Sequence, residues 1–135
     1  FPFAFEILGR VELWPIPGST EVDMPGDVRG WRMAHLEGVL NGLLMIGVAS
    51  VGPALRLSER AAGWLFWGLL ATGWGNIVAS WIGPLTSTRG LSFTGFSWNT
   101  VVFLLFMVAV VAVLVAMVLV ARGAFAGARG GGGDD

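Results

Sequence analysis

Apolar residues fill three long runs of this chain, and prolines, charges and small polar residues collect in the intervals between them. The first run begins near Met33 and passes through Leu43, Leu44, Met45, Ile46 and Val48 to Val51, where Gly52 and Pro53 stop it. The second covers residues 61–83 and is closed by Pro84, and the third covers residues 100–121 with almost no polar side chain. At 1.5 Å per residue the third run makes about 33 Å of helix, enough to cross a hydrocarbon core. The link around Arg56 and Arg60 is short and polar, so the first two helices must run antiparallel. Residues 1–9 are apolar apart from Glu6 and end at Gly9 and Arg10, which predicts the remnant of a fourth helix at the N-terminus. The sequence opens on Phe1 rather than Met, so an upstream segment is expected.

Residues 11–30 carry Pro15, Pro17, Pro25 and most of the acids, a composition that breaks helices and is readily solvated. They predict a structured extramembrane loop, and the alternation around Ser19 to Met24 allows a short strand or hairpin. A second loop, rich in Gly, Ser and Thr, spans residues 85–99, and a flexible tail is predicted over residues 123–135. The expected fold is an all-α integral membrane helical bundle, one domain over residues 1–122.

Composition narrows the class further. Of 135 residues 55% are hydrophobic and 13% charged, with mean hydropathy +0.75, far from a soluble domain. Net charge is -1, so there is no basic surface to hold nucleic acid. The chain has no cysteine, which excludes disulfides, thiolate metal sites and iron–sulfur clusters.

The only histidine is His35. At about 100° per residue, Gly38 and Gly42 share its helical face, a side-chain-free strip on which a flat cofactor can lie. Asn41 falls about 120° away, one turn beyond Glu37, and forms a second polar face. An ionisable group at membrane depth is costly and by default functional. Against this stands a plainer reading, that His35 lies at headgroup level and bonds a loop carboxylate such as Asp27. Zinc needs three or four clustered ligands, whereas haem needs one axial nitrogen. Short helices without a large interior pocket make a porphyrin hard to enclose within one copy, whereas a ring-shaped homo-oligomer could hold it between protomers, with His35 on one side and the Asn41 face of the next copy on the other. Glu37 reads best as a solvated acid paired with Arg32 or Arg29, and otherwise as a polar group near the pocket. Trp67 and Trp74, seven apart, share a face that either packs against helices or walls a ligand site, while Trp64 and Trp81 sit where interfacial anchors belong.

Several segments in order carry a resemblance: Val11-Glu12-Leu13-Trp14-Pro15, Pro25-Gly26, Gly30-Trp31-Arg32-Met33-Ala34-His35, Leu40-Asn41-Gly42, Gly73-Trp74-Gly75-Asn76 and Arg89-Gly90-Leu91-Ser92-Phe93. Together, over residues 11–96, they resemble the styrene oxide isomerase family. The resemblance implies a four-helix, homotrimeric membrane protein, expected in the bacterial inner (plasma) membrane, with haem b between protomers. It implies His35 as iron ligand, with Gly38, Gly42 and Trp74 beside the haem, and Asn41 holding the oxygen of a small apolar epoxide. The reaction implied is isomerisation of an aryl epoxide to an aldehyde, with ferric iron as Lewis acid. Where the family carries a tyrosine this chain has Ser80, which keeps a hydroxyl without the aromatic ring. Two other readings remain open at this point: a haem-binding membrane subunit for electron transfer or sensing, and a cofactor-free structural subunit of a membrane complex.

Overall fold

The computed structural model describes residues 8–13 and 15–130. Helix α1 runs Val28–Val51, α2 runs Glu59–Leu85 and α3 runs Trp98–Gly130. All three are long and apolar enough to cross a membrane, and the protein is a helical membrane protein with little strand. The remnant of a preceding helix and residue Trp14 fall largely or wholly outside the described residues.

Each helix begins and ends for a local reason. The Asp27 side chain caps α1 by accepting from the Gly30 N–H, and Ser58 caps α2 by accepting from the Ala61 N–H at 3.3 Å. A 3-10 turn, Gly52–Ala54, leads out of α1 with Pro53 in its first turn. Pro84 lies inside the last turn of α2 rather than beyond it, and the helix ends one residue later.

The expected hairpin forms in the first loop. Strand β1, Arg10–Glu12, pairs antiparallel with β2, Ser19–Glu21, in the register Arg10 to Glu21, Val11 to Thr20 and Glu12 to Ser19. The paired segment on the second strand starts where alternation begins and stops short of Met24.

Helices α2 and α3 pack through small residues. Ala109 and Ala116 are wholly buried, and they sit against Gly75 and Gly68 of α2, where a Cβ would come within 3.3 Å of Ala109 Cβ and of the Ala112 carbonyl. The Thr72 hydroxyl bonds within its own helix to Gly68 O at 2.8 Å and lies 3.3 Å from Ala109 O across the interface. Without a hydrophobic drive between helices in lipid, such close backbone approach is what holds the pair. The remaining sides of α3 expose Leu104, Val108, Val111 and Leu114, as a lipid-facing helix requires.

The third helix corrects one expectation. Residues 123–130 continue α3, where a flexible tail was predicted; residues 131–135 lie outside the described residues. The physical reason is local packing. Leu55 and Leu57 of the α1–α2 link close on Gly123, and the Arg56 N–H donates to the Gly123 carbonyl at 3.2 Å, so this turn is anchored.

Candidate functional site

The start of α1, the end of α2 and the start of α3 meet at one end of the bundle, and both long loops lie there. Trp31 pins this end. It is 2% exposed, its Nε1 donates to the Pro25 carbonyl at 2.9 Å, and its ring meets Trp81 edge-on at 5.9 Å. Trp81, expected as an interfacial anchor, therefore serves packing as well.

Two close approaches shape a cavity beneath the loops. Gly26 adopts φ +104°, and a Cβ there would come within 2.7 Å of the Pro84 carbonyl; one at Gly30 would meet the Pro84 ring. Gly90 adopts φ +60° over the first turn of α3, where a Cβ would collide with Val102. The Gly90 N–H is held by Asn99 Oδ1 at 2.9 Å, which ties the second loop to α3. The resulting cavity, about 750 Å³, is lined by Met33, Glu37, Ser80, Thr88, Phe106 and the two arginines Arg29 and Arg89, among others. That volume is ordinary for a small-molecule site.

A polar cluster crosses from α1 to α2 at the inner wall. Asn76 Nδ2 donates to Asn41 Oδ1 at 3.2 Å, and Asn41 Nδ2 donates to the Glu37 carbonyl at 2.8 Å. Ser80, one turn beyond Asn76, donates to the Asn76 carbonyl at 2.7 Å and lies 3.2 Å from the Ile77 carbonyl. Asn41 and Ser80 are both buried. Glu37 lines the cavity, and its Oε2 is buried with no hydrogen-bond partner among the described residues. Glu37 is therefore not the arginine-paired, solvated acid expected of it. About 200° of helical rotation from His35 turns it inward.

His35 takes the opposite side of α1. It is exposed, and a Cβ at Gly38 or Gly42 would meet nothing within 4 Å, so the strip beside the imidazole is flat and open. Among the described residues no three His, Asp or Glu side chains gather around a metal ion. A single imidazole beside a bare strip is the donor set that a porphyrin's axial position takes. The outward face thus fits a flat haem. Trp67 and Trp74 are 63% and 61% exposed, so neither packs inside the bundle nor walls the cavity. Of the predicted site residues Ser80 lines the cavity, Asn41 lies behind its wall and is joined to Ser80 only through Asn76, and His35, Gly38, Gly42 and Trp74 lie outside it. Asn76 was legible only as an interior polar residue of its span; its spacing of four from Ser80 is the signal that joins the two.

These features define a class: a membrane-embedded helical bundle with a polar-walled cavity at one end and an exposed imidazole on the other side of the same helix. The profile of the styrene oxide isomerase family matches residues 1–125, and the chain belongs to that family. It is also 33% identical over 88 residues to a styrene-oxide isomerase of Pseudomonas fluorescens, a match covering 64% of this chain and 51% of the relative. The chain spans about half the length of that curated relative.

Proposed function

We propose that the protein is an enzyme of the bacterial inner membrane that isomerises an apolar aryl epoxide to an aldehyde, as a homotrimer with haem b held between protomers. The observation that carries the reading is the two-sided α1. His35 and its glycine strip face outward, while the cluster of Asn41, Asn76 and Ser80 faces inward, which supports a haem that two copies of the chain would serve from its two sides.

His35 would hold the iron, and Gly38 and Gly42 would leave room for the ring beside it. Ferric haem, when bound, supplies a Lewis acid for the epoxide oxygen. Asn41 uses one amide N–H on the Glu37 carbonyl and has a second for that oxygen. The Ser80 hydroxyl donates to the Asn76 carbonyl and would turn from it to give that oxygen a further donor from α2. As the benzylic C–O bond opens and a hydride moves to the benzylic carbon, these groups keep the oxygen fixed while it becomes the aldehyde carbonyl. Atoms and electrons of substrate and product balance, so no oxidant is required. The loops closed by Gly26 and Gly90 keep water from capturing the cation as a diol.

The test is the absorption spectrum of the detergent-purified full-length protein with and without styrene oxide, followed by an assay for phenylacetaldehyde. A Soret band that shifts with epoxide, together with aldehyde formation, is expected. A Soret band indifferent to epoxide moves the assignment to a haem protein without isomerase activity, and absence of the band after expression with ample haem moves it to a structural subunit.

A further inference from the structure

The polar cluster leaves one group without a task. Glu37 lines the cavity from the same helix as Asn41, one turn away, and its Oε2 is shielded from water with no hydrogen-bond partner among the described residues. Ser80 does not complete it. That hydroxyl has one proton and donates it to the Asn76 carbonyl at 2.7 Å. A carboxylate desolvated inside a membrane span is costly, and its unused acceptor points to something that arrives with a ligand. Arg29 and Arg89 line the same cavity and bring positive charge to it. An apolar aryl epoxide offers no hydrogen-bond donor to meet that oxygen. What the reaction does offer is positive charge at carbon.

Resting on the epoxide-isomerase reading above, we propose that Glu37 is a catalytic carboxylate that stabilises the cationic benzylic carbon as the ring opens. On this proposal Asn41 and Ser80 serve the oxygen, and Glu37 serves the carbon. The carboxylate acts through its field and exchanges no atoms: the benzylic C–O bond breaks with its electron pair leaving on oxygen, a hydride moves from the oxygen-bearing carbon to the benzylic carbon, and the aldehyde C=O forms. Preorganised charge aimed at developing charge is the most effective use of a buried ion.

The test compares wild-type, Glu37→Gln and Glu37→Asp proteins, full length in detergent, on styrene oxide and its para-methoxy and para-chloro analogues. Glu37→Gln is expected to lower kcat/KM for styrene oxide about a hundredfold. It should hit the para-chloro substrate hardest and the para-methoxy substrate least, because an electron-poor ring depends most on help from outside. Glu37→Asp keeps the charge and should lower the rates while leaving the ratio between the substrates near that of wild type. A purely structural role would lower all three substrates by one common factor in Glu37→Gln, and that result overturns the proposal. So does an unchanged rate. A wild type that converts none of the three epoxides overturns the isomerase reading and this assignment with it, whereas an active wild type with an indifferent Glu37→Gln variant overturns this assignment alone.

Discussion

The two faces of α1 differ in almost every respect that matters to chemistry. The outward face is bare, with His35 standing beside Gly38 and Gly42 and open space where their side chains would be. The inward face is crowded and bonded, with Asn41 tied to Asn76 and Glu37 on the cavity wall one turn away. On the proposed reading the outer face would receive the haem and the inner one would help orient the epoxide, and two copies of the chain would together complete the site.

The sharpest way to break the comparison is His35→Ala. On our reading it removes the Soret band and with it the isomerase activity, while the protein still inserts and elutes from gel filtration as before; retained haem would deny the outward face its role. Next in size is Asn41→Ala. It should lower turnover about a hundredfold and leave the resting haem spectrum in place, measured by aldehyde formation per haem. Loss of haem instead would make the inner face a scaffold for the outer one. A smaller effect is expected for Gly90→Ala, where φ +60° and the Val102 contact oppose any side chain. It should cost about 1–3 kcal/mol of stability, read as a lower Tm, and it should weaken substrate binding more than haem binding because only the cavity is disturbed. The smallest effect belongs to Trp74→Ala. The ring is 61% exposed and touches neither the cavity nor the core, so at most a few-fold loss of haem affinity is expected, with unchanged Tm in the haem-free protein.

Much of this architecture was legible in the order of residues. Three apolar runs gave three spanning helices, because a single segment satisfies its own backbone in lipid only as a helix, and the prolines and acids of residues 11–30 marked the loop that carries the hairpin. His35 and Asn41 were legible for the same reason: polar groups in an apolar run stand out, and helical phase puts them on different faces. The cavity was not. Its walls depend on Gly26 and Gly30 closing on Pro84 and on Gly90 closing on Val102, contacts between segments far apart in the chain that no local pattern encodes. Glu37 was misread because an acid near a helix start usually meets water. Its spacing of four from Asn41 already placed it on the inner face, and that periodicity outweighs its nearness to the helix end. The anchored turn around Gly123 was hidden by composition, since glycine and alanine read as a loose tail until Leu55 and Leu57 cover them.

Pro84 has a consequence beyond the wall it gives to Gly26 and Gly30. Lying within α2, it has no N–H to donate, so the Ser80 carbonyl is denied the rung it would receive from four residues onward. Position 80 therefore offers the cavity end of α2 a main-chain acceptor that does not depend on which side chain grows there. Replacing Ser80 by alanine deletes a hydroxyl but leaves that acceptor untouched, and the polarity of this corner is in part inherited from a proline four residues away.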